Sequence, residues 1–521
     1  MSCSLLQATV LLGALFLAGG LQSPAYPQDT PLLFEKTLGV IPASGFSHRF
    51  LYVDTTQKHF AYISEEEGRE SVVVDGQRGA TYDSIVRIDI AYAASYQFFF
   101  SPDGKRHAYI GKRNGEFFLI VDGKEITRLD EPIQPYFGPD GRLAYMLIRK
   151  DPSRPNQPVF PSQHIFLIAY RLVIEGIPSP PKEYADVTEP TFSSDGRHVA
   201  YFAREKNSWR AVLDGHEQKK YSEDAFPIVK FSPDGQNYAY FGIGRESGKV
   251  YLVINGREHL AERPWYAEGD GNIPRLEIAN GGRYAYVTSP VKKPAQYVIV
   301  DGHKSPGYTT WMDKEVDGRE DRGHVEGIEC LTFSPDGHHV AYVGARDNMM
   351  RAVIDGVEGP PYYEVGGLNL SADGKHFAHT VNDEQSQFVV LDGKPGKRYA
   401  YAGIPKFSPD GHRLCYIAEK AEDARVLVVE GTNPREFPLP TSRFDCEMVF
   451  SPDSKHIAWI YQRGAKWVLC IDGHELASYD SRPMNGALIF DKSGRLRTIA
   501  VRGNEILSVE VAFRGPSNRE H

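Results

Sequence analysis

Residues 329–365 read ECLTFSPDGHHVAYVGARDNMMRAVIDGVEGPPYYEV. CLTFS has the composition of a strand, and Pro335-Asp336-Gly337 is turn chemistry: proline pre-sets φ and glycine accepts a positive one. HHVAYVG returns as a second strand of β-branched and aromatic residues. After a loop at Arg346-Asp347-Asn348, MRAVI is a third strand. Asp355-Gly356 is a strong hairpin signal, because a two-residue I′ turn requires φ > 0 at both centres. VEGPPYYEV is then predicted as the fourth strand. Apolar residues at nearly every strand position suit sheets packed on both faces.

The unit repeats along almost the whole chain. Its first turn recurs as FSPDG at Phe100, FGPDG at Phe137, FSSDG at Phe192, FSPDG at Phe231 and IANGG at Ile278. It continues as FSPDG at Phe333, LSADG at Leu370, FSPDG at Phe407 and FSPDS at Phe450, with degenerate copies from Val53 and Phe490. The second turn keeps step: VVVDG ends at Gly76, LIVDG at Gly123, AVLDG at Gly215, AVIDG at Gly356, VVLDG at Gly393 and LCIDG at Gly473, among ten such copies. A period of four short antiparallel strands is one blade of a β-propeller. The fold class is therefore all-β, a propeller of about ten to eleven four-stranded blades.

The SPDG-plus-AY signature resembles the WD-repeat-like propeller of the TolB family and of prolyl-oligopeptidase-type proteins, over nearly all of the chain from about Leu51. The resemblance implies the fold and the repeat type, and is not specific for any function. No Trp-Asp dipeptide closes any unit, unlike true WD repeats.

Eleven units exceed the four to eight blades typical of one ring, so two consecutive propellers are the favoured reading. The longest interruption, Tyr308 to Glu326 with its charged run MDKEVDGREDRGH, sets the expected boundary. It divides the chain into 31–310, with about six units, and 325–515, with about five. A competing observation is that the last unit supplies only three strands. Pro31 to Ile41 would complete it, tying the two termini together.

The N-terminus reads differently. Leu5 to Leu21 is apolar, ends in small residues and is followed by the polar SPAYPQDT. Residues 1–25 are expected to be a secretory signal peptide, cleaved after Gly20 or Ala25, although the n-region lacks Lys and Arg. The expected location is periplasmic or secreted, with no membrane span after cleavage. A net charge of −9 argues against a nucleic-acid partner. Cys330, Cys415, Cys446 and Cys470 form no CxxC pair and read as free thiols.

Nearly constant PDG and DG turns put length variation on the opposite face of the ring, where the 2–3 loops and blade connections lie. Function favours variable loops on a rigid scaffold. That face is the predicted binding surface, with Trp265, Tyr266, Trp311, Arg319, Arg322, Tyr362 and Tyr363 as candidate anchors. Each aromatic has a competing reading as packing between blades.

No G-x-S-x-G elbow is present, and the repeats leave no room for a hydrolase domain. His59, His198, His339, His376 and His456 share one repeat position, hence separate blades, so they read as hairpin-flanking structural residues and not as metal ligands. Asp313, Glu315, Asp317, Glu320 and Asp321 read as a solvated loop. No cofactor is expected. The leading expectation is a non-enzymatic exported scaffold for a protein or cell-envelope component; the alternative is a propeller hydrolase or lyase acting on a glycan or peptide at the ring centre.

Overall fold

A turn with positive φ at both centres reverses the chain in two residues, and the repeat supplies one per blade almost throughout. In the quoted unit Asp355 has φ 50° and Gly356 φ 79°. The computed structural model describes residues 30–41, 51–89, 95–96, 98–150, 167–178, 183–222, 226–265, 275–289, 295–309, 327–420, 424–431, 434–440, 446–483 and 486–514. Among these the structure is strands and turns, with one 3₁₀ turn at Asn280–Gly282 and no α-helix. The signal-like segment lies outside the described residues. No helix among the described residues is long and apolar enough to cross a membrane.

Among the described residues eleven antiparallel blade sheets follow one another along the chain, nearly all with strands in sequence order, beside a two-stranded ribbon of Ile88–Asp89 and Ser95–Tyr96. In blade 7 the strands are Ile328–Phe333, Val340–Arg346, Met349–Ile354 and Val357–Glu358. The predicted fourth strand is thus shorter than VEGPPYYEV. Prolines 360 and 361 cannot donate to a ladder, and after them only a Met350–Tyr362 bridge remains before Glu364–Leu370 opens blade 8. Blade 3 has three strands, Tyr136–Phe137, Leu143–Lys150 and Leu167–Ile174. Its Pro-rich sequel touches the sheet at isolated bridges from Ile177 and Tyr184.

The last blade is built from both ends of the chain. Ile489–Phe490, Leu496–Arg502 and Glu505–Arg514 form its inner strands, and Thr30–Val40 pairs antiparallel along Glu505–Arg514 as the fourth. The expected completion by Pro31 to Ile41 is present.

Packing decides how the blades are joined. Eleven buried apolar clusters occur, each drawing on two consecutive blades. One joins Val287, Val298 and Tyr308 of blade 6 to Ile328, Val340 and Val353 of blade 7. Another joins Val53, Phe60 and Val73 of blade 1 to Ile499, Val501 and Ile506 of blade 11. Two rings would need blade 6 to close on blade 1 and blade 7 on blade 11. The cores run through the expected 310/325 boundary instead, and the division into 31–310 and 325–515 gives way to one closed circuit of eleven blades. A charged connection on the surface says nothing about the apolar faces it joins.

A repeated polar contact accompanies these cores. Tyrosines ending one blade donate to a glutamate on the fourth strand of the next: Tyr82 to Glu125 at 3.0 Å, Tyr221 to Glu258 at 2.8 Å, Tyr399 to Glu436 at 2.6 Å. Tyr479 makes the same bond at 2.8 Å to Glu35 of the N-terminal strand. A strand from the far end of the chain therefore reproduces the contact that a blade's own fourth strand makes elsewhere.

Candidate functional site

The face carrying the two fixed turns is occupied with internal bonding. In S-P-D-G the serine is buried, its hydroxyl donating to the aspartate and accepting a backbone N–H from the returning strand. Ser101 Oγ donates to Asp103 Oδ1 at 2.7 Å and accepts from Arg106 N at 2.9 Å. The Ser101 hydroxyl, reinforced by Lys105, outweighs the small cost of burial and brings the Asp103 carboxyl down to about 2. The aspartate of the second turn ties both hairpins together. His339 Nδ1 lies 2.6 Å from Asp355 Oδ2, while Asp355 Oδ1 accepts the Val340 N–H at 3.0 Å.

His59, His198, His376 and His456 repeat this pairing with Asp75, Asp214, Asp392 and Asp472 at 2.6–2.7 Å. The shared position is thus a hairpin clasp, as expected. Where arginine stands there it reaches the next blade: Arg413 donates to Ser454 O at 2.8 Å and lies over the Phe450 ring at 5.1 Å. No group of three or more His, Cys, Asp or Glu side chains suited to a metal occurs among the described residues.

The inside of the ring is lined by first strands, which adjoin from blade to blade. Three residues before the turn serine the side chain is generally buried between blades, as at Leu276, Met448 and Leu488. Strand alternation turns residues two and four before it away from that core. Glu189, Lys230, Arg275, Glu277, Ile404, Lys406 and Glu447 stand at these inward positions. Their carboxylates are engaged: Glu189 with the Tyr136 phenol, Glu277 with Lys230 at 3.6 Å, and Glu447 with Arg482 and the Leu488 N–H, the last at 2.8 Å. Burial raises the Glu277 pKa against the opposing pull of Lys230. Ile404 is 62% exposed, an apolar side chain on a largely polar wall.

Of the predicted anchors, three fall within the described residues. Trp265 packs partly against the core between blades 6 and 7, with the Arg275 guanidinium 5.3 Å from its ring and its backbone N–H donated to Val287 O at 2.8 Å. Tyr362 meets Phe388 edge-on at 5.9 Å and exchanges backbone hydrogen bonds with Met350. Both serve packing between blades. Tyr363 is half-buried beside them. Tyr266, Trp311, Arg319 and Arg322 lie outside the described residues, as does the acidic group from Asp313 to Asp321. The inward-facing residues were missed, although the period-2 alternation before each PDG turn marks them.

Of the four thiols, Cys330 is exposed and the other three are shielded by packing. Cys415, Cys446 and Cys470 belong to one core between blades 9 and 10, and burial pushes each up to about 12.

No protein-family model matches the chain, and no curated protein is significantly similar to it. Solved structures to which it is similar include a eukaryotic initiation factor, at 14% identity over 73% of this chain and 95% of that one, TM-score 0.36. TolB from Acinetobacter baumannii is similar at 11% identity over 63% and 81%, TM-score 0.24, and the Dos1 propeller at 9% over 62% and 91%, TM-score 0.30.

Proposed function

We propose that the chain is an exported, non-enzymatic propeller scaffold that holds a protein or cell-envelope component on its variable-loop face. The observation that carries this reading is the asymmetry between faces. Turn-face polar groups are spent on clasps within and between blades, as in Ser101–Asp103, His339–Asp355 and Arg413–Ser454. The opposite face carries connections that differ in length and composition from blade to blade. At the ring interior the carboxylates are held by Lys, Arg or Tyr partners. That arrangement favours a structural wall over the free acid–base pair of a glycosidase.

The test is capture of partners from a cell-envelope extract by the full chain and by a variant with 266–274 and 310–326 replaced by Gly/Ser linkers. Trp265 and Tyr308 are retained because both pack between blades. Loss of the captured components with unchanged thermal unfolding is the expected result. Undiminished capture by the variant rejects this face, and turnover of a glycan or peptide by the chain rejects the scaffold reading.

A further inference from the structure

Blade 8 departs from the repeat at two positions that meet at one junction. The residue after the second-strand alanine (Cys415 in blade 9) is Tyr in blades 1 to 7 and 9 (Tyr109, Tyr240, Tyr342 and Tyr416 among them), and it faces the preceding blade. In blade 8 it is His379, 4% exposed, and its buried Nδ1 has no hydrogen-bond partner. The residue two after the second-turn glycine is glutamate in five other blades (Glu125, Glu217, Glu258, Glu358 and Glu475) and Arg78, Pro178 and Lys304 in blades 1, 3 and 6; here it is Pro395, which accepts nothing through its side chain. The phenol-to-carboxylate bond made by Tyr308 to Glu358 at 3.1 Å therefore has no counterpart between blades 7 and 8. The inner strand of blade 8 carries a register shift between Gly366 and Asn369, opposite His379, with Gly367 at φ 58°, a bulge that blade 7 shares between Glu329 and Thr332 opposite Tyr342.

The surroundings offer an imidazolium nothing. Val343, Ala345, Met350 and Ala352 of blade 7 pack in one cluster with Val365, Val381, Phe388 and Val390 of blade 8, and Val390 lies directly across from His379. The charged groups of the same strands are engaged elsewhere: Arg346 with Glu358 at 2.7 Å, Arg351 with Glu358 at 3.9 Å, and His376 with Asp392 at 2.7 Å. Glu364 lies 3.4 Å from the Asn382 amide. A buried cation without a counter-charge is expelled or stays unprotonated.

We propose that the junction between blades 7 and 8 is an acid-operated seam, where the ring opens first as the pH falls. Burial alone lowers the His379 pKa from 6.5 to about 4. A depressed histidine leaves stability whole above its unfolded pKa. Stability then falls from about pH 6.5 to pH 4, because the open state takes up the proton that the closed state refuses. At about pH 5 that linkage favours opening by roughly thirtyfold over pH 7.5.

Hydrogen exchange of the full chain at pH 7.5 and pH 5.0, corrected for the intrinsic pH dependence of exchange, tests this. Strands 340–354 and 377–391 are expected to lose roughly an order of magnitude more protection in acid than the strands of blades 2 to 5. His379→Tyr, the residue of the other blades, and His379→Phe, which removes the titrating group at smaller volume, are each expected to abolish the difference. Uniform loss of protection, loss first at the 30–40/505–514 strand pair, or persistence of the acid effect in both variants overturns the proposal.

Discussion

At the residue scale, the repeat's shortest motif contains more than turn propensity. Proline and glycine in S-P-D-G are legible as backbone chemistry, whereas the serine looks interchangeable with any small polar residue. Its necessity shows only when the strands close around it. Ser334 is 2% exposed, donates to Asp336 at 2.5 Å and accepts from His339 N at 3.0 Å. Ser334→Ala leaves a buried N–H unpaired and is expected to cost about 1–3 kcal/mol; the urea unfolding midpoint should fall with the m-value unchanged. Gly344 was equally silent in the sequence. A Cβ there enters the ring of Tyr308 arriving from the preceding blade, as it does at Gly111 against Tyr82 and at Gly242 against Tyr221. Gly344→Ala is expected to destabilise by about 1–3 kcal/mol through overpacking. Pairing it with Tyr308→Phe, which removes the hydroxyl and leaves the ring, should not relieve that loss; recovery in the double variant refutes the steric account.

At the element scale, the N-terminal strand could be anticipated because the last unit was one strand short. What could not be anticipated is how completely it imitates a native fourth strand. Arg502 ends its second strand and bonds Glu35 at 2.7 and 2.8 Å, just as Arg113 bonds Glu125 and Arg463 bonds Glu475. Burial raises the Glu35 pKa, but the bonds from Arg502 and Tyr479 win and bring it below 4.5. With that sign, its contribution is present above pH 4.5 and is lost as the pH falls below it. Glu35→Ala also strands the Tyr479 hydroxyl, on a residue with no exposed surface, and should cost about 1–3 kcal/mol. Deleting 30–40 goes further. It bares the long edge of Glu505–Arg514 and the apolar side chains around Leu33, an aggregation template. Size-exclusion chromatography should show the deletion variant associating and Glu35→Ala remaining at the size of the intact chain.

At the scale of the whole molecule, the blade count was readable to within one and the ring number was not. Eleven is more than a propeller usually holds, and the charged interruption before Glu326 offered a natural place to cut. Ring number depends on which apolar face meets which, and every blade carries two similar faces, so local patterning is degenerate on this point. The packing resolves it, since the face of blade 6 that would close on blade 1 in a two-ring molecule is buried against blade 7. Blade 1 is correspondingly buried against blade 11. Cutting the chain at the interruption would therefore open two interfaces at once and leave each fragment with an unpartnered face at both ends. The 325–515 fragment would also lose Thr30–Val40, and with it the fourth strand of its last blade. Neither 31–310 nor 325–515 expressed alone should show a cooperative thermal transition, whereas the two mixed during refolding should recover the circular-dichroism spectrum of the intact chain. Two fragments that each unfold cooperatively, at midpoints matching the intact protein, would establish two rings and overturn the single circuit.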